Sequence, residues 1–220
     1  MLERARTWLA DGSPEGAVPE PAATVMLVRD GAGGPEVYVQ RRAATMAFAP
    51  SMVVFPGGRV DPQDAALDPG TPGVAEVAAQ MGVGPAEAAS LVAAAVREVE
   101  EECGVRVPVE GLAVRGHWVT PAFETRRYDT WFLAAAMPDG QAATETSGES
   151  DGGGWVRPAD TLERSRAGEV RLMPPQVWAL EALAGFDTVA AFLADRPRVA
   201  LVAPVLVEDG DDVVLVTRLP

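Results

Sequence analysis

The stretch Arg97-Glu98-Val99-Glu100-Glu101-Glu102-Cys103-Gly104-Val105 decides how this chain is read. Val92, Val96, Val99 and Cys103 recur at helical spacing, and Gly104 supplies a stop, so the glutamates occupy the last turn and a half of a helix. That end carries the negative pole of the macrodipole, where a carboxylate typically costs about 0.3–1 kcal/mol. Like charges at i, i+4 add a similar penalty. At about 100° per residue, Glu98, Glu101 and Glu102 share one arc of roughly 100°, whereas Glu100 points elsewhere. The apolar stripe lies on a separate arc and can pack against a sheet.

Glutamate-rich helix ends are most often solvated surface. Here the cluster opposes both the dipole and its own neighbours. A divalent cation among the oxygens explains it better, because hard cations take carboxylate ligands.

The 220 residues, 48% of them apolar, suffice for one well-buried domain with extensions. A formal net charge of -14 argues against a nucleic-acid partner, which is bound through excess Lys and Arg. It leaves room for a small phosphorylated ligand, since bridging metal ions reverse the local charge. The single cysteine, Cys103, excludes an internal disulfide and a cysteine-built zinc cage, and it reads as a small core residue. The segment MLERARTWLADGSPEG lacks the apolar core of a secretion signal, and no apolar run approaches membrane-span length. A cytoplasmic protein with no membrane partner is the expectation.

Along the chain, 1–10 reads as a short helix and 1–19 as helix plus linker. Val25 to Arg29 and Glu36 to Arg41 read as a hairpin around Gly31, Gly33, Gly34 and Pro35. Met52 to Phe55 is an apolar run ending at Pro56-Gly57-Gly58, where bare backbone can turn sharply and approach a ligand. The Ala-, Gly- and Pro-rich 65–88 is expected on the surface, with a short helix around Val74 to Met81. Gly84-Pro85 starts the long helix that ends at Cys103. Leu112 to Val119, Tyr128 to Ala136 and Trp155-Val156 read as strands, Pro175 to Ala184 as a helix, and 148–154 as a flexible segment. The extension 186–220 carries a helix and a hairpin around Glu208-Asp209-Gly210-Asp211. Strands alternating with helices, without strict βαβ repetition, suggest a mixed sheet between helical layers.

The string REVEEECGV resembles the second half of the Nudix box, G-x5-E-x7-R-E-U-x-E-E-x-G-U, at every specified position from Arg97 to Val105. Upstream, Gly58 followed six positions later by Asp64 is similar to the G-x5-E half, with aspartate for glutamate. About two dozen residues, 65–88, split the box, and Ala89 stands where the unsplit spacing would put the acid. A split box of this kind resembles the branch that includes peroxisomal and mitochondrial coenzyme A diphosphatase-like enzymes. The resemblance implies an α/β/α sandwich over 20–185 that uses Mg2+ or Mn2+ to hydrolyse a pyrophosphate bond. Its substrate would be a nucleoside diphosphate linked to another moiety, and relatives are often homodimers.

The same resemblance implies Glu98, Glu101 and Glu102 as metal ligands, Glu101 also as a catalytic residue, and Arg97 as the group that orients Glu101. It also implies a general base from a loop ahead of a strand beginning with Trp. Glu149, six residues before Trp155, is the candidate, with Glu145 and Asp151 as competitors. Gly57, Gly58, Arg41, Arg42, Arg126 and Arg127 are candidates for substrate binding, arginine forks suiting phosphate. The competing reading of each arginine is a solvated charge at a strand end. The segment 37–58, VYVQRRAATMAFAPSMVVFPGG, is similar to the region that marks coenzyme A-directed members of the family. Coenzyme A or an acyl derivative is therefore expected first, with ADP-ribose or a dinucleotide such as NADH next. A catalytically silent nucleotide-binding regulator is the alternative of another class. The insertion is expected to form part of the substrate pocket or a dimer contact. His117, the only histidine, is expected to be structural, and no G-x-S-x-G elbow is present.

Overall fold

The run Ala22 to Val28 is buried at every position, which is how a strand covered on both faces reads. It forms the centre of β1, Glu20–Gly31, in a computed structural model that describes residues 2–45, 50–148, 150–209 and 212–217. A turn brings β2, Gly34–Arg42, back antiparallel, with Val28 opposite Val37 and Gly31 opposite Gly34. The remaining strands are β3 (Val53–Val54), β4 (Gly57–Arg59), β5 (Ala113–Val119), β6 (Tyr128–Ala136), β7 (Ser150–Val156) and β8 (Leu201–Val202). The eight-stranded sheet runs β3-β2-β1-β6-β5-β8, with β4 added to β1 and β7 to β2. β1 with β6 and β5 with β8 are parallel and the other pairs antiparallel, which makes the sheet mixed as expected.

Alternation along the strands sends two sets of side chains to opposite faces. Ala23, Val25, Leu27 and Leu133 meet Val92, Val99 and Cys103 of α3, Pro85–Cys103. Met26, Val28, Phe132 and Ala134 meet Ala179, Leu180 and Leu183 of α5, Pro174–Ala184, and Phe192 of α6, Val189–Ala194. The result is the α/β/α sandwich. The N-terminal helix α1, Leu2–Ala10, lies outside it, with Arg4 paired to Glu124 at 2.9 Å. No helix among the described residues is long and apolar enough to cross a membrane.

The fold corrects several expectations. The insertion does contain a helix, α2 (Val74–Met81), but not as surface decoration: Val74, Val77, Ala78 and Met81 are buried in the cluster built around α3. Its alanines and valines are a core face. The Gly-rich 150–154 is not loose either, because it pairs with β2 as β7. A Cβ at Gly153 would stand 2.8 Å from Cζ of Tyr38, so a bare backbone is what lets that ring lie beneath it. The helix α4, Pro158–Arg166, went unanticipated because its PADTLERSR has almost no apolar period, although Pro158 marks its first turn. The tail splits: β8 extends the main sheet, whereas β9 (Val205–Asp209) and β10 (Asp212–Val216) form a separate antiparallel ribbon. The turn residues Gly210 and Asp211 lie outside the described residues.

Arg115 on β5 is 5% exposed and docks the α6 end of the chain. Its Nη1 donates to the carbonyls of Phe192 and Asp195 at 3.1 Å each, and its Nη2 to Asp195 Oδ2 at 3.1 Å. Its guanidinium carbon stands 4.1 Å from the centroid of the Phe192 ring. Removing one member of such a buried set is costly, so Arg115→Ala is expected to lose about 3 kcal/mol. A urea titration checks this, and an unchanged midpoint would contradict the assignment.

Candidate active site

The Pro-Gly-Gly turn is placed against α3 by β4, which sets Gly57 opposite Thr24 and Gly58 opposite Ala23 on β1. Thr24 Oγ1 donates to the Pro56 carbonyl at 2.8 Å and locks the approach. Two glycines are needed here for different reasons. Gly57 has φ 153°, and a Cβ on it would stand 2.5 Å from Thr24 Cα. A Cβ on Gly58 would stand 2.6 Å from Cδ of Glu98, so the missing side chain makes room for that carboxylate. Gly57 N–H in turn donates to Glu102 Oε2 at 3.0 Å.

The three carboxylates of one helical arc thus have different surroundings. Glu102 is buried, at 7% exposure, under the glycine turn. Glu98 is half-buried beside Gly58, and the Glu101 side chain is 56% exposed. Glu100 points away, as expected, and accepts from Arg106 Nε at 2.6 Å.

Arg97 ties these groups to the other side of the insertion. Its Nε and Nη2 donate to the two oxygens of Asp64 at 3.0 Å each, a planar fork of the kind arginine makes with carboxylates. Its Nη1 donates to Glu98 Oε1 at 2.8 Å and to Glu101 Oε2 at 3.2 Å, and its Nη2 also to the Arg59 carbonyl at 3.1 Å. Asp64 sits in a 3-10 turn, Pro62–Ala66, at 4% exposure. Although 33 positions separate it from Arg97, it stands where an acidic partner for that arginine is needed. Ala89, at the unsplit spacing, is buried core.

Burial works to raise the Asp64 carboxyl, but the hydrogen bonds and charge of Arg97, with the Asp61 N–H, outweigh it and hold its pKa below the ordinary value. A folded value below the unfolded one of about 3.9 means that its stabilisation is complete above that pH. It is lost as the pH falls through the folded value. Asp64→Asn is therefore expected to be about 2 kcal/mol less stable at pH 7 and to lose less on acidification to about pH 2 than the parent. Parallel denaturation series at the two pH values read this out.

The remaining expected residues are dispersed. Arg41 and Arg42 end β2, with Arg42 on the face shared by Tyr38 and Gln40 and Arg41 on the other. Arg126 is exposed in the β5–β6 loop. Arg127 donates to the carbonyls of Thr120 at 3.0 Å and Ala17 at 2.7 Å, so its guanidinium pins that loop to the N-terminal linker. Glu149 lies outside the described residues. Asp151 is exposed at the start of β7. Glu145 accepts from Gly148 N at 2.8 Å and from Ser147 N and Oγ at 2.9 and 3.0 Å, and these bonds hold its carboxyl below the usual range. His117 stacks on Trp131, with centroids 3.8 Å apart, and bonds to Asp129. Gln40, 3% exposed, was not singled out in the sequence; its Nε2 donates to the Glu102 carbonyl at 3.3 Å. A glutamine among the inward-facing residues of VYVQRR is the signal that could have found it.

Glu98, Glu101 and Glu102 fit a hard divalent cation in donor type, and the bare Gly58 leaves Glu98 its space. They are not gathered into a finished cage, for among the described residues no three acidic, His or Cys side chains are grouped to hold a metal ion. Arg97 bridges two of the three instead.

The NUDIX domain model matches residues 18–175. The Caenorhabditis elegans protein nudix hydrolase 7 is 28% identical over 162 residues, 67% of this chain and 55% of that protein. The chain thus spans about half the length of that curated relative. The solved NUDIX hydrolase from Alicyclobacillus acidocaldarius is 24% identical, with a TM-score of 0.69, over 83% of this chain and 98% of the other. The NUDIX domain of Shewanella oneidensis NrtR, complexed with ADP ribose, is 15% identical, with a TM-score of 0.52, over 80% and 94%.

Proposed function

The chain belongs to the Nudix family, and from that premise we propose that it is a hydrolase of the pyrophosphate bond in a small nucleoside diphosphate derivative. The observation that supports this most is the Arg97 hub: Asp64, from before the insertion, and Glu98 and Glu101, from after it, meet on one guanidinium. The split motif is thereby assembled in space.

The chemistry follows from the bond. Its oxygens repel an incoming nucleophile, so charge must be neutralised and the attacking water activated and aimed. Mg2+ or Mn2+ held by Glu98, Glu101 and Glu102 would neutralise the phosphate oxygens and make the water more acidic. The Gly57 N–H fixes Glu102, and Arg97 orients Glu98 and Glu101. Gly57 and Gly58 set the turn beside the carboxylates that face the diphosphate, and Arg41, Arg42 and Arg126 bind outlying phosphates. Arg127, engaged with two carbonyls, is the weakest member of that set. Water adds to one phosphorus, the bond to the bridging oxygen breaks, and a carboxylate takes the proton. Glu149 is the proposed base and Asp151 the next; Glu145 is poorer, because three donors already stabilise its anion.

Coenzyme A or an acyl derivative is the proposed substrate, supported by the likeness of 37–58 to coenzyme A-directed relatives and by the position of that segment. β2 reaches the Glu102 carbonyl through Gln40, and the segment ends on Gly57 and Gly58. ADP-ribose is the second reading, supported by the ADP-ribose complex of the Shewanella domain of the same fold. The site of action proposed is the cytoplasm.

Chromatographic product analysis with coenzyme A, ADP-ribose and NADH, with and without Mg2+ or Mn2+, tests both readings. Metal-dependent cleavage that disappears in Glu101→Gln supports the hydrolase and ranks the substrates. No cleavage of any of them shifts weight to a silent nucleotide binder.

A further inference from the structure

A helix end leaves four carbonyls without partners inside the helix, and they are usually left to water or to a local cap. At the end of α3 all four are bonded to protein donors, and only one of these is local. Glu100 O accepts from Gly104 N at 2.9 Å. Glu101 O accepts from Thr146 Oγ1 at 2.6 Å. Glu102 O accepts from Thr146 N at 3.1 Å and from Gln40 Nε2 at 3.3 Å, and Cys103 O accepts from Thr144 N at 3.0 Å. The chain 144–146 therefore lies across the last turn of the helix as a strap. Its central contacts come from one residue, Thr146, which serves the carbonyls of Glu101 and Glu102, two of the three glutamates of the proposed metal site.

We infer that Thr146 is a positioning residue for this site, acting through the backbone of Glu101 and Glu102. It works in two ways. Its hydroxyl and N–H fix the peptide units from which the two carboxylates project, so the direction of each side chain is set from behind. The same donors also meet the negative pole of the helix, which lowers the cost of placing anions there. Glu145 sits between the strap threonines and is closed into a turn by Ser147 and Gly148, so the strap also sets where that carboxylate stands relative to the helix end. This inference rests on the proposed role of Glu101 and Glu102 as metal ligands.

Thr146→Val is close in volume and retains the N–H, and it removes only the hydroxyl bond; Thr146 is exposed, so core packing is untouched. Mn2+ binding is measured by calorimetry on the substrate-free protein, together with kcat and KM on whichever compound the parent protein cleaves. Expected for Thr146→Val are Mn2+ affinity and kcat each lowered about 10-fold, the lower end of the range for partners that bond a metal ligand directly, because Thr146 bonds the main chain behind the ligand. KM should change much less, and Thr146→Ser should restore both quantities to within about threefold of the parent. Parental Mn2+ affinity and kcat in Thr146→Val, or a serine variant as impaired as the valine one, would overturn the inference. If the parent protein itself neither binds Mn2+ nor cleaves any compound, the proposed function fails, and the valine variant is not what shows it.

Discussion

Replacing Glu102 with glutamine is expected to lower kcat/KM by about 10³-fold without weakening the metal-free fold. The size of the loss follows from charge. Several kcal/mol of transition-state stabilisation ride on a cation at a phosphoryl centre, and each 1.36 kcal/mol is about tenfold in rate. Glutamine keeps the shape of the side chain and an oxygen for the Gly57 N–H, which the carboxylate now accepts at 3.0 Å. What it loses is the negative charge. Because that charge sits at the unfavourable end of α3, the metal-free variant should be as stable as the parent or up to about 1 kcal/mol more stable. The parent is expected to gain stability on adding Mn2+, and this variant is expected to gain none. Turnover at the parental rate would remove Glu102 from the site, whereas a large stability loss would make it a structural group.

Gly57→Ala is expected to cost about 3–5 kcal/mol, the sum of left-handed backbone strain and overpacking. The added Cβ meets backbone, standing 2.5 Å from Thr24 Cα, and nothing there can turn aside. β4 would have to leave β1, taking the Gly57 N–H away from Glu102. Gly58→Ala makes an informative contrast. Its Cβ meets the end of the Glu98 side chain, which can swing. That variant should keep most of its stability and lose activity by displacing a proposed ligand. Equal stability losses at the two positions would show that the turn is only a turn.

These expectations depend on features of unequal visibility in the sequence. The limits of α3 were legible because Gly84-Pro85 and Gly104 are local signals, and the β1–β2 hairpin because its turn residues and apolar runs adjoin. The acidic face was legible by helical spacing alone. Its division into a buried Glu102, a half-buried Glu98 and an exposed Glu101 was not, since that depends on how β4 is laid against the helix. The Asp64–Arg97 fork spans the insertion, and no local pattern gives the distance between two points on either side of it. For the same reason the burial of α2 is not legible in the sequence: Val74, Val77 and Met81 are compatible with a surface helix until α3 is laid beside them. The glycines of 152–154 read as freedom, but Gly153 serves close approach, because the Tyr38 ring on the next strand occupies the space its side chain would fill. The strap over α3 is carried by backbone groups and a threonine, which have no signature in sequence.

We propose that the end of α3 holds a divalent cation, and calorimetric titration of Mn2+ into the substrate-free protein and into the variant with Glu98, Glu101 and Glu102 all changed to glutamine tests it. Saturable binding to the parent protein is expected, and its loss in the folded triple variant. Equal binding by the two proteins would contradict it, because the metal would then sit elsewhere and the glutamates would be surface charge.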